Sequence, residues 1–145
     1  MAYNDIMHKT ELAAQAVAAA VVTSQSLNSY VGLEDDAQAL PSVTFAAESV
    51  EPVIAGQIHG NRFVTLAVTI RSTRDGTGAA AAHRGKVEAV FDVFMDDTLP
   101  AMLSAGLADF YCFTAEYLGE SQNVIDRSHL TSIRFRLLVA PSDIT

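Results

Sequence analysis

The side chains with the most chemistry to offer here are four histidines, one cysteine and two arginines spaced two residues apart. A metal centre needs His, Cys or carboxylate ligands gathered at a spacing that puts them side by side on a helix or strand. His8, His59, His83 and His129 have no companion at such a spacing, so no metal or cofactor is expected. His83 opens an apolar helical stripe, where a packed or hydrogen-bonded imidazole is the common fate. His59 and His129 fall in expected loops and are read as solvated. Cys112 stands in the apolar run Phe110-Tyr111-Cys112-Phe113, which predicts a buried, unreactive thiol. A nucleophile would also need a base within hydrogen-bond reach. Pairing Phe110 to Leu118 with Thr131 to Val139 puts Cys112 opposite the Arg136 region and far from His129, which argues against a Cys–His pair.

The remaining catalytic patterns are no stronger. No Gly-x-Ser-x-Gly elbow is present, and Ser104-Ala105-Gly106 follows a helix rather than a strand. Glu48 and Glu51 face opposite sides of an extended segment, and Asp96-Asp97 ends a helix. Neither is a tuned carboxylate pair. Arg74-Asp75-Gly76-Thr77-Gly78 matches neither a Walker loop nor a dinucleotide fingerprint. It reads as a strand-to-helix turn with Thr77 as N-cap. No enzymatic activity is expected.

Arg134 and Arg136 share one face of a strand and could grip a carboxylate or phosphate. An interface row is the preferred reading, because arginine is enriched where proteins meet. The acidic stretches Glu34 to Asp36 and Asp96-Asp97 of a neighbouring copy would supply the complementary charge.

The elements that position these residues follow from hydrophobic periodicity. A first helix is expected from Asp5 to Leu27, with Ile6, Ala13, Val17, Ala20 and Val21 on one stripe, Glu11 on the wet side and Asn4 as N-cap. Asn28 to Pro41 reads as a connecting loop. Val43 to Val50 alternates weakly as a strand, and Pro52 to Asn61 is a turn too long for a tight hairpin. Arg62 to Ser72 alternates strongly. A second helix is expected over Ala79 to Met95, its stripe formed by Ala80, His83, Val87, Val90, Phe91 and Phe94. Gly85 inside it would mark the close approach of another backbone. Pro100 starts a further turn that ends at Gly106. Phe110 to Leu118 and Thr131 to Val139 are strands, separated by a polar loop from Gly119 to His129. The order helix-strand-strand-helix-strand-strand predicts an α+β fold, a mostly antiparallel sheet with two main helices packed on one face.

Composition bounds the rest. At 145 residues the chain is one domain, half its residues are hydrophobic, and its formal charge is -8. Few cations and many carboxylates disfavour tight binding to nucleic acid or to an anionic membrane surface. A single cysteine excludes an intrachain disulfide. No signal-peptide pattern opens the sequence, and the apolar run Leu12 to Val22 is too short for a bilayer span. A soluble protein that folds in a cytoplasm is expected.

The succession of an N-terminal helix, Leu40-Pro41-Ser42-Val43-Thr44-Phe45, Glu48-x-x-Glu51-Pro52, the strand Phe63 to Ser72, Ala82-His83-Arg84 and the closing Asp126-Arg127-Ser128 to Arg136-Leu137-Leu138-Val139-Ala140-Pro141 resembles the tail terminator (tail completion) proteins of long-tailed bacteriophages. The resemblance spans nearly the whole chain and rests on gross pattern rather than invariant motifs. It implies a structural virion protein located at the tail or neck and assembled in the host cytoplasm. Its copies would form a ring, commonly a hexamer, on the last ring of the tail tube protein. The ring ends tube growth and presents a surface to a head-side connector protein, while DNA passes without specific binding. No catalytic residues are implied. Phe63, Tyr111, Phe113 and Tyr117 add more aromatic surface than a monomer needs, so these four with Arg134 and Arg136 form the expected subunit or partner interface. Another head–tail connector or neck protein, or a small cellular α+β ligand-binding domain, are the alternatives.

Overall fold

A computed structural model describes residues 6–32, 38–56, 60–107, 109–125 and 127–141. Helices α1 (Ile6–Val17) and α2 (Ala19–Ser24) precede strands β1 (Asn28–Val31), β2 (Ser42–Pro52) and β3 (Arg62–Thr73). Helices α3 (Ala79–Phe94) and α4 (Leu99–Gly106) then lead to strands β4 (Phe110–Ile125) and β5 (Ser128–Pro141). One sheet forms in the order β1-β2-β3-β5-β4. Only the β1–β2 pair is parallel; the other three are antiparallel.

The α+β class and the mostly antiparallel sheet agree with the sequence pattern, and the element order does not. Where one long helix is expected, the chain breaks at Ala18 into α1 and α2. The segment read as a loop from Asn28 carries β1, and the turn at Pro100 is a full helix. The polar stretch Gly119 to His129 is mostly strand: Glu120 pairs with Ile133 and Ile125 with Ser128. Polar residues on both faces hide a strand whose two sides are wet, because alternation then has nothing to alternate. The register also puts Cys112 opposite Val139 rather than in the Arg136 region. Asn4, Asp5, His59 and Glu34 to Asp36 lie outside the described residues.

All the helices bury their apolar sides on one face of the sheet. Val64, Leu66, Val68 and Ile70 of β3, Phe45 of β2, and Phe135 and Leu137 of β5 meet Ile6, Ala13, Val90, Phe94 and Leu103 from the helices in one core cluster. Phe94 lies between Phe45 and Phe135, with ring centroids 6.2 and 5.9 Å away. Ala20 and Ala80, expected on buried stripes, are exposed. The close approach assigned to Gly85 occurs elsewhere: a Cβ at Gly106 would stand 3.0 Å from Ala13 Cα, whereas one at Gly85 would meet open space. Gly85→Ala is therefore expected to raise monomer stability by about 0.5–1 kcal/mol, read by urea unfolding. A loss would mean that the position is constrained.

Glu11, expected on the wet side, is buried. Its Oε2 accepts the backbone N–H of Ala47 at 2.9 Å. Ala47 sits beside a bulge in β2, just past the end of the short partner strand β1. The carboxylate thus takes the place of a missing strand. Glu11→Ala is expected to cost about 1–3 kcal/mol by orphaning that donor, while Glu11→Gln, which keeps an acceptor, stays close to wild type in the same denaturation.

Candidate functional site

The helices pack on one face of the sheet, and Phe63, Arg134 and Arg136 of the expected interface lie on the opposite one. Arg134 and Arg136 alternate with the core residues Ile133, Phe135 and Leu137 along β5, so both point away from the helices. Arg134 reaches across β3 to Glu48 of β2, donating from Nε to Oε1 at 2.8 Å and from Nη2 to Oε2 at 3.4 Å. Its β3 partner in the register is Ala67, whose small side chain clears the path. Arg136 donates from Nη2 and Nε to Glu116 Oε2 at 2.7 and 3.1 Å, and its guanidinium lies 4.8 Å from the Phe63 ring centroid. Both arginines therefore find carboxylates within the chain. Each pair is solvent-accessible, and such pairs contribute about 0–1 kcal/mol. Asp96, expected to face a neighbour's arginine, accepts the N–H and hydroxyl of Thr98 in the turn before α4. These donors hold its carboxyl below the usual carboxylate range.

The other three expected residues belong to β4, the outer strand of the sheet. Tyr111 and Phe113 are 47% and 52% exposed and contact each other edge to face at 4.9 Å. Tyr117 turns to the helix side, against Phe91 at 5.5 Å and Phe135 at 5.9 Å. Sequence reasoning missed Leu118, Val124 and Ile125, which are also exposed on β4. Among the described residues, six of eleven exposed large hydrophobics thus lie on this one strand. An edge strand with unpaired backbone groups and exposed apolar side chains is a template for another chain. Its polar neighbours Ser121, Gln122 and Asn123 masked the signal.

The residues considered for catalysis are committed to structure. Cys112 is fully buried, and desolvation pushes its thiol up to about 11, so almost no thiolate exists near neutrality. Thr77 does not cap α3; the N-cap is Gly78, without a side-chain bond. His83 Nδ1 bonds the Ser72 hydroxyl, and Nε2 bonds that of Thr131 at 2.8 Å. His129, expected in a solvated loop, belongs to β5 and stacks on His83 at 5.4 Å. Gln122, Asn123, Val124, Leu130 and Thr131 complete the lining of a cleft of about 160 Å³ beside this pair. Burial first, and the nearby His129 second, lower the pKa of His83. Among the described residues no group of three or more potential metal ligands converges, and no helix is long and apolar enough to cross a membrane.

The geometry is thus that of a sheet whose helices pack on one face and whose outer strand β4 carries exposed apolar side chains. No protein-family model matches the sequence, and no curated protein matches it. In fold, at 18% identity and a TM-score of 0.59, the chain is similar over 92% of its own length and 92% of the other's to a chain in a solved structure described as the virion of a native gene transfer agent (GTA) particle.

Proposed function

We propose that the chain is a structural component of a phage-like virion and, within it, a tail terminator. Its copies form a ring, six by the family resemblance, on the last ring of the tail tube. The ring stops elongation and offers its far side to a head-side connector, and DNA passes through without specific binding. The role is structural rather than catalytic, with no cofactor and no membrane partner. The observation that carries this reading is the apolar outer strand β4, whose exposed Tyr111, Phe113, Leu118, Val124 and Ile125 require a partner for solubility and specificity alike. The whole-length likeness to a chain of a gene transfer agent virion particle adds support for the virion setting. A formal charge of -8 suits a conduit that must not hold DNA.

The test mixes the purified protein with tail tubes and images them by electron microscopy, with the mass of the protein measured alone and after mixing. A ring at one tube end with elongation halted is the expected result. Protein that ignores the tubes and stays monomeric overturns the terminator role.

A further inference from the structure

Each edge of the sheet is stopped at one point by a helix side chain and left open beyond it. On the β4 edge, Ser104 Oγ accepts the N–H of Cys112 at 2.9 Å and lies 3.3 Å from its carbonyl. Among the described residues, β4 pairs with no other strand along its outer side. On the opposite edge Glu11 occupies the Ala47 N–H, and β1, four residues long, pairs among the described residues only with β2. Exposed apolar side chains stand at this second edge too, Val53 and Ile54 just past the end of β2. Among the described residues both edges therefore have backbone outside the sheet pairing and exposed apolar side chains, a template for another strand.

We infer that β4 of one copy pairs with the β1–β2 edge of the next, so that neighbouring sheets join around the ring. Strand direction supports this occupant. β1 runs parallel to β2, and the three antiparallel pairings from β2 to β4 leave β4 opposed to both. Rotation about an axis along the strands preserves direction. The new pair would then be antiparallel, like three of the four pairs already in the sheet. The area is also sufficient. The three half-exposed aromatics and three aliphatics of β4 present on the order of 500 Å², against roughly 800 Å² per partner in a standard interface. The flanks of the receiving edge and the backbone itself supply the remainder. This contact rests on the ring reading above.

Two double variants test it, both at exposed positions so that circular dichroism should report a wild-type fold. Leu118→Lys with Val124→Lys blocks the β4 edge, since lysine is a natural edge blocker. Val53→Lys with Ile54→Lys blocks the receiving edge. With tail tubes and at a concentration where wild type forms rings, each variant alone should lose ring formation at least tenfold. An equal mixture should yield two-subunit species and no closed rings, because one intact edge of each kind remains per pair. Wild-type rings together with normal rings from either variant overturn this contact and leave the ring reading standing. A receiving-edge variant that dimerises alone shows β4 pairing with itself, and likewise overturns it. Wild type that never assembles overturns the ring reading and this contact together.

Discussion

Replacing Phe94 with alanine is expected to lower the unfolding free energy by about 3–5 kcal/mol, the range for a buried aromatic truncated to a methyl. Phe94 is 1% exposed and closes α3 onto the sheet. Its ring meets Phe45 of β2 on one side and Phe135 of β5 on the other, so one truncation opens a void against two strands of the sheet at once. Neighbours held in strands cannot collapse into that void. For a domain whose whole stability is about 5–15 kcal/mol, the loss is a large share of the total. Thermal unfolding should drop by roughly 10–20 °C at this chain length. Phe94→Leu keeps most of the volume and should cost less than about 1.5–2 kcal/mol. Equal losses for the two variants would mean that α3 does not depend on this contact.

The sequence carried the sheet better than the helices, and the reason is local. β3 alternates from Arg62 to Thr73 with one break at the buried Ala67, because Val64, Leu66, Val68 and Ile70 face the core and the other face is mostly Thr and Arg. The helix α3 is nearly as legible, since His83, Val87, Val90 and Phe94 repeat at helical spacing. β1 and the far half of β4 were illegible. A four-residue strand carries too little pattern to see, and residues 119–125 are wet on both faces. Glu11 reads as an exposed helix residue because nothing local reveals that β1 will end before Ala47 and leave a donor for it.

The expected interface was legible in part. Phe63, Arg134 and Arg136 do come together, but with Glu48 and Glu116 of the same chain as partners. Cross-strand pairing over 86 and 20 residues of sequence depends on register, which a pattern of alternation does not specify. The consequence for assembly is a shift of weight. In the proposed ring, arginines already paired would contribute orientation and solubility, while the exposed apolar side chains of β4 would supply most of the driving force.

The second large effect is expected at His83, as a dependence of stability on pH. Its imidazole is the polar link between α3 and the sheet, bonded to Ser72 of β3 and Thr131 of β5, all three buried. His83→Ala leaves two hydroxyls without that partner and a cavity between layers, a loss of about 2–4 kcal/mol near pH 7.5. The unfolded chain titrates this group near its ordinary value of 6.5, and the folded protein titrates it lower. Between those two values the unfolded state binds more protons, so stability rises with pH there. The contribution of the neutral imidazole is fully present above 6.5, is lost as pH falls below it, and levels off below the folded value. Asp96, held below the carboxylate value of 3.8, stays outside this window. Urea midpoints measured from pH 8 to pH 5 should therefore decline in wild type, and His83→Ala should lose that part of the slope. Burial is the larger cause of the lowered pKa and His129 the smaller, so His129→Ala should keep most of the slope. A wild-type midpoint flat across this range, or a slope abolished by His129→Ala alone, would show that burial of His83 does not govern the coupling.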